Sequence, residues 1–217
     1  MLDIRLQTIY DMLKKGMIVA DIGSDHAFLP IELVKTGKSE KVYACEIADG
    51  PLLRAKNNIE KYGFSDKVIA IKSDGLNNVP IDTEAIVIAG VGFYTAKKIF
   101  EDNLSRLDKF KQIIIQVNSD IDLLRKWISD NNFTIENEII VKKRHYYTII
   151  EISTKYNEGY NSKELLFGPI LMKTKTDVYI EYLNKELIKY KKILPKVDDN
   201  KKEEINKIIK FINEILK

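Results

Sequence analysis

An α/β fold on a mostly parallel sheet is what this chain predicts, and three observations carry that reading. Apolar runs of strand length alternate with helical periodicity from residue 17 to residue 131. The first run ends in an acid and a lone glycine turn, Asp21-Ile22-Gly23-Ser24-Asp25-His26-Ala27. Beyond residue 132 the alternation stops, and two strand-like segments follow with only Lys142, Lys143, Arg144 and His145 between them. So short a link leaves no room for a crossover helix, so the two segments must pair antiparallel.

The elements follow in order. Residues 1–14 read as a short amphipathic helix, with Ile4, Leu6, Ile9 and Leu13 on one side. Strands are expected at 17–22, 41–46, 67–72, 84–89 and 111–117, and helices at 27–36, 50–62, 94–105 and 120–131. Pro51 falls in a first helical turn, where its missing N–H costs little. Gly63 stands where that helix should stop. Phe133 to Val141 and Tyr146 to Ser153 make the hairpin. Residues 154–174 are irregular, with Gly159, Gly168 and Pro169. Val178, Tyr182, Leu183, Leu187, Tyr190 and Leu194 then mark one apolar stripe. Ile205, Ile208, Ile209, Ile212, Ile215 and Leu216 mark a second, after the break at Pro195 to Asn200. Two such helices around a short polar link predict an α-helical hairpin, coiled-coil-like in character. The expected division is a domain over 1–154 and a linker with helical arm over 155–217.

Composition narrows the class. A chain of 217 residues with 45% hydrophobic residues supports one full domain and an appendage. A single cysteine, Cys45, excludes an intramolecular disulfide. No apolar run reaches the length of a membrane span, and the first residues lack a signal-peptide core. The expectation is a cytoplasmic protein with no membrane partner. The net charge of +3 is unevenly spread: residues 155–217 hold 14 lysines and no arginine against 10 acids, whereas 1–154 are nearly balanced. The surplus is either a footprint for an anionic partner or a solvated lysine-rich surface.

The turn after the first strand selects the cofactor. Hydride-carrier sites want G-x-G-x-x-G. Here Gly23 stands alone, before Ser24, Asp25 and His26. Two carboxylates beside the turn, Asp21 and Asp25, suit a cationic ligand better than a pyrophosphate. S-adenosyl-L-methionine has that character, through its sulfonium and its amino group. The terminal hairpin agrees, because dinucleotide-binding sheets end instead in a sixth parallel strand. The predicted class is therefore a Rossmann-like methyltransferase with an antiparallel terminal hairpin.

Further candidates lie at later strand ends. Glu46 follows Gly23 by 23 positions, near the spacing expected of a ribose-binding acid. Asp74-Gly75 follows the third strand; the acid suits the exocyclic amine of adenine, although Asp-Gly is also a common turn. The fourth strand ends in Ala89-Gly90-Val91-Gly92, whose small residues leave room beside a sulfonium or simply turn the chain into a helix. Asn118 either reads a base edge or caps the helix beginning near Asp120. His26 is a catalytic candidate or a structural turn residue. Cys45 reads as core. No Cys/His spacing points to a metal.

These residues, taken together, resemble the bacterial tRNA (adenine-22-N1)-methyltransferase family, TrmK. The carriers are Arg5-Leu6, the run from Ala20 to Pro30, Gly50-Pro51, Gly63-Phe64 and Asp74-Gly75-Leu76. Ile88 to Gly92, Gln116-Val117-Asn118 and Phe167-Gly168-Pro169 complete them. The resemblance implies methyl transfer from S-adenosyl-L-methionine to N1 of adenine 22 in tRNA, by a Rossmann-like domain joined to a helical arm. It implies a cofactor site of Asp21, Gly23, Ser24, Asp25, Glu46, Asp74, Gly75 and Ala89. Its catalytic candidates are Gly90, Asn118 and His26, of which Gly90 and Asn118 would hold the target base. Arg5, Gln116, Lys142, Lys143, Arg144, Lys189 and Lys192 would meet the tRNA. A monomer is expected. The alternatives are a methyltransferase on another RNA or on protein, and a non-catalytic RNA-binding protein on this fold. Three departures stand out. The family's Gly-Met-Gly-Gly is here Gly90-Val91-Gly92-Phe93. Its Gln-Pro-Asn is Gln116-Val117-Asn118. Its acids before the last strand are Lys142 to His145. Phe93 is expected to narrow the base pocket, and Val117 to loosen the turn that orients Asn118.

Overall fold

The computed structural model describes residues 2–217. The chain opens with α1 (Ile4–Met12), β1 (Val19–Ile22), α2 (Phe28–Lys35), β2 (Val42–Glu46), α3 (Asp49–Lys61) and β3 (Val68–Lys72). It continues with β4 (Ala85–Val91), α4 (Phe93–Glu101), α5 (Leu104–Leu107), β5 (Gln112–Val117) and α6 (Ile121–Asp130). A hairpin of β6 (Thr134–Lys142) and β7 (Tyr146–Ser153) follows, then α7 (Ser162–Phe167), α8 (Leu171–Thr174), α9 (Asp177–Ile193) and α10 (Asp199–Leu216). The first helix is shorter than the expected 1–14, and residue 1 lies outside the described residues.

The strands form one sheet in the order β3-β2-β1-β4-β5-β7-β6. β1 pairs in parallel with β2 on one side and β4 on the other, so the strand order switches sides at β1 and a crevice opens there at the strands' carboxyl ends. Only β7 runs antiparallel, inserted between β5 and β6. Successive side chains face opposite ways, and the central strands β1, β2, β4 and β5 are buried on both faces. Ala20, Ile22, Ile86, Ile88, Ile113 and Ile115 pack with Phe100 and Trp127 of α4 and α6. Val19, Ala85, Val87 and Ile114 pack with Ile9, Leu29, Leu33 and Ile59 of α1, α2 and α3.

One expected helix is broken. The run 94–105 stops at Glu101 and restarts at Leu104, because Asn103 takes a non-helical backbone (φ −135°) and its amide donates to the Ile99 carbonyl at 3.0 Å. The break lets Arg106 donate to the carbonyls of Leu76 (2.6 Å) and Val79 (2.9 Å), fixing the loop after β3.

The helical arm packs back onto the sheet. Tyr179 and Leu183 of α9 and Ile212 and Ile215 of α10 share a core with Ile140 of β6 and with Phe167 and Leu171. Beneath it lies an ion pair shut away from solvent: Arg125 of α6 donates to Glu138 of β6 at 2.8 Å, with side chains 3% and 0% exposed. Arg125 also donates to the carbonyls of Leu165 and Leu166, and Glu138 accepts from the N–H groups of Ile170 and Leu171. Gly168 closes the chain over this pair at φ +89°, where a Cβ would stand 2.7 Å from a Glu138 oxygen.

Candidate active site

Two cavities share the crevice at the carboxyl ends of the parallel strands, with Gly23 between them. The turn holding Gly23 hangs from β2: the N–H groups of Gly23 and Ser24 both donate to the Cys45 carbonyl, at 2.9 and 3.2 Å. Gly23 sits at φ +77°, which favours glycine whatever the space around it.

The first cavity is lined by Ile22, Ile47, Val91 and Ile99, with Glu46, Asp74 and the Lys98-paired Asp102 as its carboxylates. Glu46 is buried at the end of β2 and accepts the Asp25 N–H. Burial pushes its carboxyl above the usual range, while that N–H pulls the other way. Asp74 is exposed at the rim, next to Gly75. A Cβ on Gly75 would press within 3.1 Å of Ile99. An apolar slot with one buried carboxylate and exposed carboxylates at its rim fits a nucleoside: apolar walls for a base and acceptors for hydroxyl and amine protons.

The second cavity collects Arg5, Asp21, Ser24, Asp25, His26, Phe28 and Ala89. Asp21 is buried and accepts from the Ser24 hydroxyl at 2.8 Å. Burial pushes its carboxyl up to about 6; the Ser24 hydrogen bond lowers it, nearby Glu46 raises it and Arg5 lowers it. A bound cation would return Asp21 to its charged form, so donors with a positive centre suit this cavity. Asp25 is half-exposed and already paired with Arg54 at 3.0 Å. His26 has no catalytic partner beyond Asp25, at 3.6 Å.

A closed circuit of hydrogen bonds joins the remaining candidates. Gly90 forms a bulge where the β4–β5 register shifts, at φ +81°. Its N–H donates to the Gln116 side-chain oxygen at 3.1 Å, and Arg5 donates to the same oxygen at 2.7 Å. The Gln116 amide donates to the Asn118 oxygen, and the Asn118 amide donates to the Gly90 carbonyl at 2.7 Å. Gln116 is 0% exposed, so it meets no substrate directly; it positions Arg5, Gly90 and Asn118 instead. Asn118 does not cap the following helix, whose first turn is preceded by Asp120 in left-handed backbone with no side-chain cap. Replacing Gly90 by alanine is expected to cost roughly 1–2 kcal/mol through its positive φ. The new Cβ would also fall 2.9 Å from Arg5 Nη1, pushing that group off Gln116. Turnover should fall at least about tenfold with the fold retained, as read by circular dichroism and methyl-transfer rates.

Two expectations about this loop are corrected. Phe93 is buried in the core and lines neither cavity, so it does not narrow the base pocket. Val117 is buried and pairs with Val91, extending β5 rather than loosening its end. The spacing Phe93, Ala96, Phe100 marked a buried helix face all along.

The basic candidates divide into two groups. Lys143, at the hairpin tip, pairs with Asp3 at 3.3 Å, and Asp3 lines the second cavity. Lys142 pairs with Glu181 of α9, so the tip bridges the arm and the cavity mouth. Arg144 is exposed. Lys189 and Lys192 lie on α9 and line neither cavity; Lys189 pairs with Glu186 at 2.9 Å. Sequence reasoning passed over Phe28 and the α4 residues Thr95, Lys98 and Ile99, although Thr95 and Ile99 are one helical turn apart. Among the described residues, no group of three or more His, Cys, Asp or Glu side chains is placed to hold a metal ion, and no helix is long and apolar enough to cross a membrane.

Known proteins share this sequence pattern and fold. The tRNA (adenine(22)-N(1))-methyltransferase of Bacillus subtilis is 30% identical over 210 residues, covering 94% of this chain and 88% of its own. Streptococcus pneumoniae Sp1610, solved in complex with S-adenosyl-L-methionine, superposes with a TM-score of 0.91 at 30% identity over the whole of both chains. TrmK of M. capricolum, solved with S-adenosyl-homocysteine, gives 0.87 at 32% identity, over 100% of this chain and 98% of that one. The family model of the tRNA (adenine(22)-N(1))-methyltransferases matches residues 19–217. The chain belongs to the TrmK family of tRNA (adenine(22)-N(1))-methyltransferases.

Proposed function

We infer that the chain transfers a methyl group from S-adenosyl-L-methionine to N1 of adenine 22 in tRNA, with the paired cavities around Gly23 as its active site. The observation that supports this most is the juxtaposition of a nucleoside-shaped slot with a carboxylate-lined cavity on either side of one glycine turn. S-adenosyl-L-methionine supplies, when bound, a methyl group activated by a sulfonium. Glu46 would accept from the ribose hydroxyls and Asp74 from the adenine amine, with Gly75 leaving room at the ring. Asp21 would offset positive charge, with Ser24 orienting its carboxylate. Asp25 is tied to Arg54 and shapes the loop through its N–H to Glu46.

Adenine N1 carries an in-plane lone pair, so no general base is needed to create the nucleophile. Catalysis reduces to positioning and to shielding the reacting line from water. The Gly90 bulge, held from both sides by Gln116 and Asn118, would supply fixed backbone polar groups at the target base. Ala89 lines the same cavity and leaves space there. N1 lies on the Watson–Crick edge, so the base must leave any pairing before it reacts. Lys142, Lys143 and Arg144 at the hairpin tip, and Lys189 and Lys192 on α9, would take phosphates. A tRNA substrate supports a cytoplasmic location. A single chain carries both cavities and the arm, so a monomer would suffice for the reaction.

The test is mass spectrometry of nucleosides from tRNA treated with enzyme and methyl donor. One mole of 1-methyladenosine per mole of tRNA is expected, and none from a transcript in which guanine replaces adenine 22. Methylation of both transcripts alike would overturn the assigned position.

A further inference from the structure

Two aromatic rings stand at the mouth of the second cavity, and packing gives no reason for them. Phe28 opens α2 with 48% of its surface exposed. Its ring stacks on His26, with centroids 5.4 Å apart and planes 12° from parallel. Both residues line the cavity that holds Asp21, Arg5 and Ala89. The backbone is bent to put them there: His26 and Ala27 are consecutive non-glycine residues with φ of 46° and 54°. Asn58 holds the bend by donating to the His26 carbonyl at 2.9 Å. The helix that follows gains no side-chain cap from it. The Ala27 N–H donates to the Ser24 carbonyl at 3.0 Å, and strained backbone over-determined in this way clusters at functional sites.

No other aromatic ring lines either cavity among the described residues. Phe93, the aromatic nearest the Gly90 loop in sequence, is turned into the core. A base drawn out of an RNA helix loses its stacking partners, and aromatic side chains restore them without reading its edge. Asp3, which lines this same cavity, pairs with Lys143, so a cation suited to phosphate stands at the cavity rim. We propose that Phe28, backed by His26, is the stacking surface for the extruded target adenine, fixing its ring plane at the second cavity. This rests on the methyl-transfer reading above and adds a residue to it. His26 then acts as a ring behind a ring and not as a proton carrier.

The experiment compares wild type, Phe28→Leu and Phe28→Tyr. Three quantities are measured: kcat and KM on unmodified tRNA, S-adenosyl-L-methionine affinity by calorimetry, and the emission of tRNA carrying 2-aminopurine at position 22. Phe28→Leu is expected to lower kcat/KM roughly 10- to 100-fold, to leave cofactor affinity unchanged, and to raise 2-aminopurine emission in the complex. Phe28→Tyr should restore all three towards wild type. Wild-type kcat/KM in Phe28→Leu would overturn the proposal. So would an equal loss in Phe28→Tyr, or a parallel fall in cofactor affinity. The half-exposed position and the retained bulk of leucine keep the fold intact. Absence of 1-methyladenosine with wild-type enzyme would instead overturn the functional reading, so the two failures are distinct.

Discussion

Replacing Glu46 by alanine is expected to weaken S-adenosyl-L-methionine binding by ~100-fold or more. The carboxylate is buried at the end of β2 and faces the nucleoside slot. Hydrogen bonds to a charged acceptor contribute about 1.5–3 kcal/mol each, and two ribose hydroxyls would be left without one. Each 1.4 kcal/mol or so is a tenfold change in affinity. A second loss compounds the first, because Glu46 also accepts the Asp25 N–H and so holds the Gly23 turn in shape. Glu46→Gln keeps one acceptor for that N–H and should lose less. Calorimetric titration of the three proteins decides it, and unchanged affinity in Glu46→Ala would remove the ribose assignment.

Breaking the Arg125–Glu138 pair is expected to cost about 3–5 kcal/mol. In Glu138→Ala the arginine would remain in a site 3% exposed with no countercharge. The N–H groups of Ile170 and Leu171 would lose their acceptor at the same stroke. For a chain of this size the melting temperature should drop by roughly 6–20 °C. Replacing both partners by apolar residues of similar volume should cost less than either single change, since no lone charge is stranded. Thermal melts of the two single variants and the double variant test this. A double variant no more stable than the singles would show that hydrogen bonds to the 165–171 segment outweigh the charge.

Much of this architecture is legible in the residues, and the exceptions have physical causes. β1, β2, β4 and β5 are buried on both faces, so their apolar runs are unmistakable. Glu46 was found because strand length and turn spacing fix where the second strand ends. Arg125 and Glu138 escaped notice because charged residues in an amphipathic helix and a half-polar strand read as surface; only the return of residues 162–171 buries them. Gln116 was placed at the substrate because an amide at a strand end is equally suited to a base edge and to neighbouring backbone. The break before α5 had a weak signal, Asp102-Asn103, which helical periodicity overrode. The strain at His26 had a weak signal, since histidine is enriched at positive φ, and that at Ala27 had none, since alanine is not a residue that turns recruit.

The position of β6 gives the arm a second duty. It is the outermost strand, paired with β7 alone. An uncovered edge of nine residues would offer its free N–H and C=O groups to another chain and invite aggregation. Here the Tyr160 phenol accepts the Ile135 N–H at 2.7 Å, and α8 and α9 lie against the strand. Cutting away the helices would therefore not free a self-sufficient catalytic half. It would bare the margin of the sheet, and the stump would sooner stick to its own copies than turn over.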